Sequence, residues 1–91
     1  MKYYIIAGEA SGDLHGSNLI REILYEDPNA EIRYWGGDRM QDVLGHTTMV
    51  KHIRELAIMG FVEVLLNVRT VLGNLKFCKK DILQYNPDAV I

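Results

Sequence analysis

Read for hydrophobic and polar order, the chain alternates between two kinds of segment. "YYIIAG", Tyr3 to Gly8, is a short continuous apolar run rich in β-formers and closed by glycine. Such a run suits a strand buried on both faces. From Leu14 to about Glu26 the apolar positions Leu19, Ile20, Ile23 and Leu24 recur at helical spacing, and Asp27-Pro28-Asn29 stops the helix. "EIRYWGG", Glu31 to Gly37, predicts a second strand, and Tyr34 and Trp35 within it read as core or cleft wall. Asp38 is placed to cap a short helix whose inward face is Met40, Val43 and Leu44, with Gly45 just past its end. "TTMVKHI", Thr47 to Ile53, is a weaker strand. A long helical region follows from Phe61 to Tyr85, with Gly73-Asn74 as a point where it can break, and "PDAVI" opens a last strand. Strands separated by helices in this rhythm predict parallel βαβ units, hence an α/β fold with an open parallel sheet and flanking helices.

Composition narrows this picture. Ninety-one residues at 48% hydrophobic and 24% charged describe one globular unit with a small core. A single cysteine, Cys78, excludes an intramolecular disulfide framework, and the helix pattern makes it a small packing residue. His15, His46 and His52 show no ligand spacing, so no metal and no other cofactor is expected. "MKYYIIAGE" is too short an apolar core for a signal peptide, and no stretch reaches the ~20 apolar residues of a membrane span. A cytoplasmic location follows as the expectation. The chain stops at Ile91 inside an apolar strand pattern, which predicts a piece of a longer protein.

Charge changes the picture more. Between residues 51 and 80, six basic residues face two acidic ones, a net of +4, leaving −6 for the rest of a chain whose total is −2. The same segment is the most apolar. Plotted at 100° per residue from Phe61, the residues Val62, Val64, Leu65, Leu66, Val68, Val71 and Leu72 cover roughly 220°, about twice what one core-facing stripe requires. Arg69 lies within that arc, and Lys76, Lys79 and Lys80 follow. Apolar surface edged with basic side chains suits the interface of an anionic membrane. A face covered by another part of the protein is the alternative.

The candidate chemistry lies where strands end. In an open α/β sheet, ligands bind beyond the carboxyl ends of the strands. Gly8 and Gly12 fall in the first such turn, where Ser11 or Asp13 can cap the following helix. Gly16 sits on the buried helix face, where it permits close approach to the sheet. The spacing G-x-x-x-G-x-x-x-G satisfies neither the dinucleotide fingerprint nor the phosphate loop. Glu9 and Asp13 would repel a phosphate in the turn and suit sugar hydroxyls or proton transfer, unless they serve only as helix caps. Asp38 stands near where a nucleotide-binding fold keeps its ribose-binding acid. Arg39, after the Gly36-Gly37 turn, is placed to meet a substrate phosphate or a surface carboxylate. His15 reads as an exposed helix histidine. Met59 and Gly60 break the run before the long helix, as a lip of the cleft or as a plain connector.

"GEASGDLHGSNLIREI", "WGGDRMQ", "ELAIMGFVEVL" and "NPDAVI" together resemble four consecutive signature stretches of the lipid-A-disaccharide synthase family, in its order and spacing. The resemblance implies a Rossmann-like fold as the first part of the N-terminal, acceptor-side domain of a GT-B glycosyltransferase, with residues 1–91 a partial domain and the C-terminal UDP-binding domain absent. It implies an inverting, membrane-peripheral enzyme on the inner face of the cytoplasmic membrane. That enzyme joins a UDP-diacylglucosamine donor to a diacylglucosamine 1-phosphate acceptor, giving lipid A disaccharide phosphate and UDP. Its partners are lipid-linked sugars and an anionic membrane surface, without nucleic acid. The family's presumed catalytic base falls after Ile91, so the chain alone is expected to be inactive, while an exposed sheet edge and an orphaned apolar helix favour its self-association. Substrate contacts fall to Gly8, Glu9, Ser11, Gly12, Asp13, Gly36, Gly37, Arg39, Met40, Met59 and Gly60. The membrane and acyl-chain patch comprises Phe61, Val62, Val64, Leu65, Leu66, Val68, Val71 and Leu72. The family usually has proline where this chain has Asp38, which weakens the ribose-ligand reading of that residue. A nucleotide-binding oxidoreductase module and a non-catalytic interaction domain remain as alternatives.

Overall fold

A computed structural model describes residues 1–57 and 68–91. Four strands, β1 (Lys2–Ile6), β2 (Glu31–Gly36), β3 (Met49–His52) and β4 (Ala89–Val90), pair in the order β3-β2-β1-β4, every pair parallel. Helices α1 (Ala10–Glu26), α2 (Asp38–Leu44), α3 (Ile53–Ala57) and α4 (Val68–Tyr85) flank it. This is the Rossmann-like arrangement that the alternating pattern predicts. β1 is central because its continuous apolar run can be covered on both faces.

Alternation along the strands sorts side chains between two layers. On one face Ile5, Ala7, Ile32 and Tyr34 join Ile20 of α1 and Met40 of α2 in the core, with Ile23, Leu24, Val43 and Leu44 partly buried around them. On the other face Tyr4, Arg33 and Trp35 meet α4. There the Trp35 indole N–H donates to the Tyr4 hydroxyl at 2.8 Å, and the Tyr4 O–H donates to Asp81 Oδ2 at 2.7 Å. Arg33 closes the chain with two bonds to the Asp81 carboxylate, 2.6 and 2.8 Å. The layer is therefore polar but satisfied, as a buried polar network must be. Arg33 holds the Asp81 carboxyl below the usual carboxylate range, and burial followed by the Asp81 bond raises the Tyr4 hydroxyl.

Three sequence expectations are corrected. α1 begins at Ala10, so Ser11, Gly12 and Asp13 lie inside the helix and its N-cap is Glu9, which makes no side-chain cap bond. Leu19 is 38% exposed, because the face that meets the core is set by Gly16 and Ile20. α4 runs unbroken through Gly73-Asn74. A mid-helix glycine costs about 1 kcal/mol, which docking of Phe77 on Trp35, Asp81 on Arg33 and Tyr4, and Tyr85 on Tyr4 outweighs. The helix ends where Asn86 takes a left-handed φ of 53° ahead of Pro87, and Lys2 Nζ donates to the Tyr85 carbonyl at 2.7 Å. Tyr34 and Trp35 lie in the core, as the pattern predicts.

Candidate functional site

The carboxyl ends of β1, β2 and β3 open onto one rim, and the turns that leave them carry most of the predicted substrate residues. At the first turn Gly8, Glu9 and Ser11 are exposed, and the Ser11 hydroxyl donates to Glu9 Oε1 at 2.9 Å. That bond aims an acidic oxygen and a hydroxyl outward together, a set suited to sugar hydroxyls.

Asp13 behaves differently. Its side chain is 4% exposed and reaches across to the second turn. Oδ1 accepts the backbone N–H of Gly37 (2.7 Å) and of Met40 (3.0 Å), and Oδ2 accepts that of Arg39 (3.0 Å). These are the free donors that begin α2, so Asp13 of α1 is the cap of a different helix. Asp38, expected to cap α2, is its first helical residue and turns away. The glycines around this knot are steric requirements. A Cβ on Gly37 would sit 2.6 Å from Asp13 Oδ2 and 2.9 Å from Ile53 Cδ1; one on Gly36 would sit 2.5 Å from Met40 Sδ. Gly16 yields to the same sulfur, 2.8 Å from its virtual Cβ. Gly16 thus admits Met40 of α2, where the sequence predicted close approach to the sheet. Gly12 has only Ala7 near it, its virtual Cβ at 3.4 Å from the alanine Cβ. Below the knot the Tyr34 hydroxyl donates to the Gly45 carbonyl, and burial, with the Asp13 charge, pushes its pKa up to about 12.

Asp13, Gly36, Gly37 and Met40 are buried, while Gly8, Glu9, Ser11 and Arg39 are exposed on the rim. Met59, Gly60, Phe61, Val62, Val64, Leu65 and Leu66 lie outside the described residues, and the side chains of Val68 and Val71 lie outside the description of α4. Leu72 is described and is 50% exposed. Leu75 and Leu83 are exposed at 62% and 69%, and Lys76, Lys79 and Lys80 are exposed beside them. The outward arc of α4 is thus half leucine and half lysine, an apolar and basic surface that extends the predicted patch toward the helix C-terminus.

The third strand end adds His52 and Arg54, which the sequence reading did not single out as a site. Asp38 Oδ1 meets His52 Nε2 at 2.8 Å, and the Arg54 backbone N–H donates to His52 Nδ1 at 2.9 Å. An accepting Nδ1 leaves Nε2–H as the donor to Asp38. That contact holds the Asp38 carboxyl below its ordinary pKa. The available signal was positional: His52 closes β3 at its carboxyl end. His15 is exposed on α1, as expected. Among the described residues, no three His, Cys, Asp or Glu side chains gather as metal ligands.

A family model described as lipid-A-disaccharide synthetase matches residues 3–91. The chain belongs to that family. It is 40% identical over 87 residues to the lipid-A-disaccharide synthase of Geobacter sulfurreducens, covering 96% of this chain and 22% of that protein. The synthase of Chromohalobacter salexigens is 33% identical over the whole chain and 23% of its own length. That of Xanthomonas euvesicatoria is 39% identical over 96% of the chain and 19% of its own. The chain therefore spans about a fifth of the length of these relatives. No solved structure matches. In this lipid-A-disaccharide synthetase family member, the first two signature stretches, Gly8–Ile23 and Trp35–Gln41, are the two that Asp13 ties together. The fourth, Asn86–Ile91, carries β4 and lies against β1.

Proposed function

We propose that the chain is the acceptor-side beginning of a GT-B glycosyltransferase working at the inner face of the cytoplasmic membrane. It joins a UDP-linked diacylglucosamine to a diacylglucosamine 1-phosphate and releases UDP. Family membership across residues 3–91 carries this reading. Two structural features support it. The exposed Gly8, Glu9, Ser11 and Arg39 line the rim of parallel strand ends, where such folds bind ligands. The Leu72, Leu75 and Leu83 face of α4, edged by Lys76, Lys79 and Lys80, suits an anionic bilayer surface that holds acylated substrates. No helix among the described residues is long and apolar enough to cross a membrane. The reacting base belongs to residues after Ile91, so the rim here binds and orients.

Two experiments test the reading. In the first, this chain replaces the matching segment of the Geobacter sulfurreducens relative, and UDP release is measured with both lipid substrates. Acceptor-dependent release is expected; a folded chimera that binds donor yet shows none counts against the assignment. In the second, the chain is floated with vesicles containing anionic lipid. Co-flotation that falls with added salt is expected, and indifference to vesicles removes the membrane part.

A further inference from the structure

β3 passes into α3 without an intervening residue: the strand ends at His52 and the helix begins at Ile53. His52 therefore stands in the N-cap position of α3, and its ring does what a cap does. Nδ1 accepts the backbone N–H of Arg54, the second helical residue, at 2.9 Å. Caps are ordinarily serine, threonine, aspartate or asparagine, whose oxygens remain acceptors throughout the neutral range. An imidazole differs, because its acceptor nitrogen takes up a proton at about pH 6.5 and becomes a donor.

We propose that His52 is an acid-sensitive clasp, which holds the first turn of α3 while its ring is neutral and releases that turn when the ring takes a second proton. Geometry decides which contact gives way. Nε2–H already donates to Asp38 Oδ1 at 2.8 Å, so a proton added at Nδ1 leaves this bond in place and turns it into an ion pair. The same proton points at the Arg54 N–H, two donors confront each other, and the cap bond is lost. The ring is only 16% exposed, whereas the Arg54 side chain on the other side of the joint is 78% exposed and free to move with its turn. Among the described residues, the charged groups that face the ring are Asp38 of α2 and Arg54 and Glu55 of α3. Lys51, the preceding residue of β3, turns to the other face of the sheet, its Nζ 5.6 Å from the centre of the Phe77 ring, and β2 brings only Gly36 opposite His52. With two carboxylates against one guanidinium, the imidazolium keeps a counter-ion and stays seated while the helix lets go. The joint matters because α3 opens the third signature stretch, Glu55–Leu65. Acid thus loosens the entry to that stretch, while α2, capped by Asp13, stays fastened.

The test is amide hydrogen exchange by nuclear magnetic resonance on the isotopically labelled 91-residue chain, from about pH 8 to about pH 5, with the His52 ring nitrogens followed alongside. Protection factors, which divide out the intrinsic pH dependence of exchange, are compared. The ring should carry its proton on Nε2 at the upper end. Arg54 protection should then fall about fivefold, the worth of one net hydrogen bond, in step with protonation of His52. Gly37 and Met40, whose N–H groups are held by Asp13, should keep theirs. His52→Asn, whose side-chain oxygen caps without titrating, should hold Arg54 protection level across the range. Asp38→Asn, which withdraws the counter-ion, should move the transition to lower pH. Arg54 protection that stays level while the ring titrates, a ring still neutral at the acid end, or a fall that persists in His52→Asn would overturn the proposal. Should His52→Asn fail to fold, the ring nitrogens and the Arg54 amide of the unsubstituted chain decide by themselves.

Discussion

Replacing Asp13 by alanine should unfasten the two strand-end turns from each other, and the structure says by how much. The carboxylate receives three backbone N–H groups, from Gly37, Arg39 and Met40. Those of Gly37 and Met40 are buried, and that of Arg39 is partly so. Each buried donor left without a partner costs about 1–3 kcal/mol. Two such donors plus part of a third put Asp13→Ala at roughly 3–5 kcal/mol. A domain of this length has a total stability of about 5–14 kcal/mol, so the loss is a large share of it. Asp13→Asn is the informative companion. Its remaining oxygen can still serve Gly37 and Met40, while its NH2 group faces the Arg39 N–H, a loss of about 1–2 kcal/mol. Urea unfolding followed by circular dichroism reads both. With a slope near 1.5 kcal/mol per M, alanine should lower the midpoint by about 2–3 M and asparagine by about 1 M. Equal losses for the two variants, or an alanine variant within about 0.5 kcal/mol of wild type, would refute the capping argument.

Further outcomes follow from the same contacts. Gly36→Ala should cost about 1–3 kcal/mol by pressing on the Met40 sulfur, and much less in a Met40→Ala background, so a double-mutant cycle by urea unfolding should show positive coupling. The Asp81 carboxyl, depressed by Arg33, contributes stability that is present above the unfolded-state value of about 3.9 and is lost as pH falls through the lower folded value. Acid unfolding of Asp81→Asn should accordingly be shallower below about pH 4 than that of wild type, although the variant is less stable at pH 7. Replacing Lys76, Lys79 and Lys80 by glutamate should abolish flotation with anionic vesicles without moving the urea midpoint, because the three side chains are exposed.

Strands and layers were legible from the pattern because burial on both faces leaves a continuous apolar run, as in Tyr3–Gly8. The start of α1 was not, since the turn from Ala10 to Asp13 carries no apolar period and its glycine and serine read as a loop. The role of Asp13 was hidden for a deeper reason. Its partners are main-chain groups 24 to 27 residues downstream, and backbone donors leave no mark on composition. The double glycine at 36–37 was visible, but the two neighbours that demand it, Met40 and Asp13, appear only in three dimensions. At α4 the sequence placed a weak point at Gly73-Asn74 that tertiary docking overrides. The meeting of Asp38, His52 and Arg54 went unseen because the three come from α2, β3 and α3 and are joined only by the fold.

Trp35 is the chain's sole tryptophan, and it is sequestered on the α4 side of the sheet with its indole proton given to Tyr4. Its emission is thus a built-in optical gauge of whether that rear helix is seated, and it is blind to the front layer where the Asp13 knot lies. Far-ultraviolet dichroism sums over every helix, so the two signals weigh the rear helix differently. Where their unfolding curves separate, the rear helix has swung free while the front remains shut.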